Sequence, residues 1–141
     1  MINYQNLLNK NMIGVLKDIL NNINDNGLSN NNHLYITFLT QHKNVEIPNW
    51  LRKKYNEEMT IVIQYEYYDL KIEKDFFQIS LSFNDIKTDL KIGYDSIISF
   101  ADPSANFGLI LQSNKTKNNN KKINDESKKD NIINFSKYKK N

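Results

Sequence analysis

Hydrophobic positions in the first part of the chain recur at helical spacing. Leu8, Met12, Val15, Ile19 and Ile23 follow one another at intervals of four and three, and Leu7, Leu16 and Leu20 widen the stripe. This pattern predicts an amphipathic helix over roughly residues 3–24. The apolar arc is broader than a single contact requires, because Ile13 and Leu20 lie outside the narrow seam. One side can cover a sheet while another meets a partner helix. Gly14 falls in mid-helix, where glycine costs about 1 kcal/mol relative to alanine. Close approach of another backbone would account for it, and so would neutral drift. Asn26-Gly27 is expected to end the helix, since glycine readily takes the left-handed conformation of a C-cap.

From His33 the period changes. His33–Thr40 is rich in aromatic and β-branched residues and predicts a strand. Val45–Ile47 predicts a second, short strand that Pro48 stops, and Trp50–Tyr55 a helical turn. Met59–Tyr65 is so apolar that burial on both faces is expected. Leu70 and Ile72 alternate with charges, the mark of a strand with one wet face. Phe77, Ile79, Leu81 and Phe83 alternate with polar residues at a period of two. Asn84-Asp85 then predicts a hairpin turn, with Leu90 and Ile92 on the return strand. Tyr94–Phe100 reads as a short helix broken by Asp102-Pro103, and Phe107–Leu111 as a last strand. One helix followed by about six strands indicates an α+β fold, either a small open antiparallel barrel or two packed sheets.

After Gln112 the composition changes abruptly. Residues 113–130 hold one large apolar residue, Ile123, among Lys, Asn, Asp and Ser. Such a segment buries too little surface to offset chain entropy and is expected to be a disordered linker. Hydrophobes return in Ile132-Ile133-Asn134-Phe135-Ser136-Lys137-Tyr138, followed by Lys139-Lys140. A short docking motif on a linker has this arrangement, and so has a final strand or helix that folds back on the domain. The expected organisation is a folded domain over 1–112, a basic linker over 113–130 and a motif over 131–141.

Charge follows the same division. Residues 1–112 carry 10 Lys/Arg and 13 Asp/Glu, a net of −3, and residues 113–141 carry 9 Lys and 3 Asp/Glu, a net of +6. The Lys-rich tail keeps RNA binding open as an alternative function, because basic arms bind phosphate backbones. Against it, the folded part is acidic and its aromatics occupy core-facing strand positions, so nucleic acid is the disfavoured partner. The heavy use of Asn and Lys reflects coding bias more simply than chemistry.

Catalysis finds little support. There is no cysteine, hence no disulfide, no thiol nucleophile and no cysteine zinc site. His33 and His42 are the only imidazoles, and the four glycines lie far apart, without a phosphate loop. Glu57-Glu58 suits the start of a helix better than a catalytic pair. No metal or other cofactor is expected, and no run approaches the roughly 20 apolar residues of a membrane span. The N-terminus does not read as a secretory signal, so the expected compartment is the cytoplasm. A peptide-binding module fits better, since paired sheets leave grooves and edges for an extended peptide. Gln64 is the polar residue in an apolar run. Its amide can serve a peptide backbone, or equally satisfy a neighbouring group within the fold.

Four blocks in order carry a family resemblance: Asn32–Phe38, Glu58–Gln64, Leu81–Asn84 and Phe100–Phe107. Together they resemble the alphaproteobacterial branch of stringent starvation protein B, SspB, over about residues 4–112 and again over 131–140. The resemblance implies a homodimeric, non-enzymatic adaptor for the protease ClpXP. Its β domain would bind ssrA-tagged polypeptides, and its tail would dock on the N-terminal zinc domain of the ClpX unfoldase. By the same resemblance Gln64 belongs to the tag groove, with Tyr35, Thr60, Val62, Tyr65, Leu81 and Phe83 as groove-wall residues. Dimerisation through the N-terminal helix would use Leu8, Met12, Gly14, Val15, Leu16 and Ile19. The docking motif of this branch resembles Ile-Val-Ser-Leu-Asp-Gln-Phe-Arg-Lys-Lys, which puts Ile132, Ile133, Phe135, Tyr138, Lys139 and Lys140 at the unfoldase. Here Phe135 replaces Leu, and Ser136 replaces Asp with loss of a charge. As a random coil the 18-residue linker would reach on the order of 25 Å.

Overall fold

The computed structural model describes residues 1–28, 31–64 and 66–111. A long helix, α1 (Tyr4–Asn26), comes first. Asn3 caps it by accepting the Asn6 amide at 3.0 Å, and Gly27 closes it at φ 76° with its N–H on the Ile23 carbonyl at 2.7 Å. Then come β1 (Leu34–Leu39), β2 (Val45–Glu46), a short helix α2 (Asn49–Lys54), β3 (Glu58–Ile63), β4 (Tyr68–Ile72), β5 (Phe76–Phe83) and β6 (Ile86–Gly93). A 3-10 turn (Tyr94–Ser96) leads into β7 (Ile97–Asp102), and a second (Pro103–Ala105) into β8 (Phe107–Ile110).

The strands form two antiparallel four-stranded sheets, ordered β3-β1-β7-β8 and β2-β6-β5-β4, which do not close into a barrel. Alternation decides what each contributes. Leu34, Ile36 and Phe38 of β1, Met59, Ile61 and Ile63 of β3, and Phe77, Ile79 and Leu81 of β5 point into one core with Leu90 and Ile92 of β6. α1 adds Met12, Leu16, Leu20 and Ile23 to that core. Leu16 and Leu20 are fully buried, each worth about 1.5–3 kcal/mol of transfer energy. The helix is fastened beside β4. Lys17 Nζ donates to the Lys74 carbonyl at 2.9 Å and lies 4.8 Å from the Tyr94 ring centroid, and Tyr67 Oη donates to the Ile23 carbonyl at 3.4 Å.

Several expectations change. The segment expected as a helix over Tyr94–Phe100 is a turn followed by β7, a central strand between β1 and β8. Ile97, Ile98, Ser99 and Phe100 are all buried, so no alternation betrays the strand. A register shift opposite Thr37/Phe38 distorts it further. β3, expected to be buried on both faces, is an edge strand with one buried face: Met59, Ile61 and Ile63 point inward while Glu58 and Thr60 are exposed. Glu57 and Glu58 precede and open β3 and start no helix. The hairpin turn is as expected, with Asn84 and Asp85 both at positive φ (53° and 66°). The linker and tail, residues 113–141, lie outside the described residues.

Candidate functional site

β3 forms one margin of the first sheet, and its outer edge has no strand partner among the described residues. In the second sheet the pairing of β4 with β5 reaches only to Tyr68↔Ser80, so β5 runs on through Leu81–Phe83 beyond its neighbour. These two backbone edges open toward one groove of about 210 Å³, lined by Thr60, Ile61, Val62, Gln64, Glu66, Leu81, Ser82 and Phe83. The connection that carries the chain from β3 to β4 supplies Gln64 and Glu66. The groove is therefore built where the chain changes sheets.

Of the seven residues expected to bind peptide, five line this groove: Gln64, Thr60, Val62, Leu81 and Phe83. Tyr35 stands opposite Val62 in the β1–β3 register, one strand away from the lining. Tyr65 lies outside the described residues. Leu81, 5 % exposed, joins the core and forms part of the floor, with Val62 and Phe83 half-buried. The Thr60 hydroxyl shares a hydrogen bond with the Thr37 hydroxyl at 2.7 Å, which orients that wall. Ile61, Glu66 and Ser82 also line the groove and were not anticipated. Ile61 is an inward core position, and the other two gain their place only from the crossover and the shortness of β4.

Two larger hollows lie elsewhere on the domain. A depression of about 460 Å³ on the outer face of the second sheet holds Ser80 bonded to Asp89 and Lys91 3.6 Å from Glu46. A cleft of about 830 Å³ between α1 and the end of β6 holds Lys17, already bonded to Lys74, and Asn44, already bonded to Asp95. In the groove at β3 the side chains of Gln64, Ser82 and Glu66 have no hydrogen-bond or ion-pair partner among the described residues. They are free to serve a ligand. At about 210 Å³ the groove is below the ~300 Å³ typical of small-molecule pockets. It suits a few side chains of an extended chain, whose backbone can pair with an open strand edge.

The helix residues expected at a dimer interface divide between two environments. Met12 and Leu16 are 4 % and 0 % exposed and pack into the protomer's own core. Leu8 and Val15 are about 40 % exposed, on a face that also carries Tyr4 and Leu7. Ile19 is partly buried against the core, and nothing lies within 4 Å of a Cβ built on Gly14. The outer apolar face is turned roughly a quarter-turn from the core-facing one.

The imidazoles take no part in a reactive cluster. His42 accepts the Asn44 amide at Nδ1 (3.0 Å), with Nε2 3.8 Å from Asp95, and His33 is half-buried just ahead of β1. Among the described residues no group of His, Asp and Glu could hold a metal ion, and no helix is long and apolar enough to cross a membrane. The six residues expected at the unfoldase, Ile132 to Lys140, lie outside the described residues. A family model described as stringent starvation protein B matches residues 6–140. No curated protein matches the chain at a significant level.

Proposed function

The chain belongs to the stringent starvation protein B family, and from that premise we propose that it is a protease-delivery adaptor of the cytoplasm. The family is one of adaptors rather than enzymes. In this reading the groove beside β3 binds ssrA-type tags, and Ile132, Ile133, Phe135, Tyr138, Lys139 and Lys140 dock on the ClpX unfoldase of ClpXP. The observation that carries it is the groove itself: five of the seven residues that the resemblance assigns to tag binding line one hollow between two open strand edges, where the side chains of Gln64, Glu66 and Ser82 have no partner among the described residues. The family match supports the tail's role, since it continues through residues 113–140.

Physically, each contact is weak alone and becomes nearly intramolecular once the other has formed. Removing residues 131–141 should therefore leave tag binding unchanged while ending the acceleration of ssrA-tagged substrate degradation by ClpXP. A truncated chain that still accelerates proteolysis would refute the docking role. Tag binding that collapses steeply with salt would instead favour RNA-type contacts by the Lys-rich tail.

A further inference from the structure

We propose that Glu66 sets the charge preference of the groove, favouring a peptide that presents an N–H donor beside it and opposing a carboxylate there. The inference rests on reading the groove as a peptide site. Of the eight residues that line it, Glu66 alone is charged. Its side chain is exposed, and no cation lies within ion-pair distance among the described residues. The lysine that faces this end of β5 does not neutralise it. Lys87 is opposite Ser82 in the β5–β6 register, but its Nζ is 3.7 Å from Asp69 and 5.0 Å from the Tyr68 ring centroid.

The other polar groups of the lining are neutral. Gln64, Thr60 and Ser82 can each donate or accept, so they do not discriminate by charge. An ionised carboxylate only accepts. A lysine, arginine or amide side chain beside Glu66 gains a charge-assisted hydrogen bond, while a glutamate or aspartate meets a like charge. Because Glu66 is exposed, solvent screens the effect, and exposed pairs of this kind change affinity by about two- to fivefold.

The test is a fluorescence anisotropy titration of the full chain with ssrA-type peptides. Each non-alanine position of the peptide is set in turn to Lys, Gln or Glu. At one position the wild-type protein should bind Lys most tightly and Glu most weakly, with about two- to fivefold between successive variants. Glu66→Gln should flatten that order and Glu66→Lys reverse it, and the wild-type preference should shrink as salt is raised. A preference that survives in Glu66→Gln, or a wild-type protein indifferent to charge at every position, overturns the assignment to Glu66 while leaving the peptide site intact. No saturable binding of any peptide overturns the peptide site, and this assignment with it.

Discussion

Replacing Gln64 by alanine removes a half-buried amide from the wall of the groove. Among the described residues that side chain bonds to nothing else in the fold. Its loss leaves no orphaned donor or acceptor among the described residues, and substitutions of this kind stay within about 0.5 kcal/mol. For a domain of this size that is about 2–4 °C in Tm. Against a bound peptide the same amide offers one carbonyl and one NH2 group, enough for two hydrogen bonds. At about 0.5–1.5 kcal/mol net for each, Gln64→Ala should weaken binding by about 1–3 kcal/mol, or roughly 5- to 150-fold in Kd. Titration of a fluorescent ssrA-type peptide gives the affinity, and a thermal melt of the same sample gives the stability. Comparable losses in both would mean that Gln64 serves the fold. An unchanged Kd beside an unchanged Tm would mean that peptide lies elsewhere.

Two further perturbations probe the helix and the core. On the reading that the exposed face of α1 joins two copies of the chain, as the family resemblance implies, Leu8→Lys with Val15→Lys should turn a dimer into a folded monomer in sedimentation; a wild-type monomer, or a dimer that persists in the variant, would refute an interface on this face. Leu16→Ala, at a fully buried position, should instead cost about 2–5 kcal/mol of stability in a denaturant melt. Tyr94 gives a pH signature: burial, reinforced by Glu73 and Asp75, pushes its phenol from 10.0 up to about 12. The unfolded chain ionises first, so Tyr94's contribution is intact below pH 10 and is lost as pH rises toward about 12. Tyr94→Phe should flatten alkaline melts over that window, and should cost about 1 kcal/mol at neutral pH through the hydrogen bond to the Glu73 carbonyl. An unaltered alkaline slope would assign the loss to another group.

What could be read from the sequence was local. The alternation of Phe77–Phe83 and the Asn84-Asp85 turn specify a hairpin without help from the rest of the chain, and the apolar arc of α1 shows two faces before any partner is known. β7 was hidden because burial on both sides erases the period of two, leaving only a β-branched and aromatic run beside a turn. The edge position of β3 was hidden for a different reason. A strand's number of neighbours is a property of the sheet, and nothing in Met59–Ile63 encodes that β1 covers one side only. The groove inherits this division. Gln64 stood out as an amide in an apolar run, whereas Glu66 and Ser82 matter only because the chain crosses between sheets at one and outruns β4 at the other.

Open strand edges are ordinarily a liability, since unpaired backbone groups invite other chains. Here the edge of β3 and the overhang of β5 face the same hollow, which limits what can reach them to something as narrow as a single extended strand. The exposed face of α1 is a second surface of the same kind, apolar where the groove is polar at its rim. The two share a core: Leu16 and Leu20 pack into the same cluster as Ile61 and Leu81. They share no surface residue, because none of the groove lining comes from α1. Charges placed at Leu8 and Val15 therefore leave the groove's own side chains in place, and Gln64→Ala leaves α1 untouched. For sites without shared partners such effects add to within about 0.5 kcal/mol. A loss of peptide affinity in the helix variant beyond that margin would mean that a second copy of the chain helps to build the groove, and the single-chain site would then be only half of it.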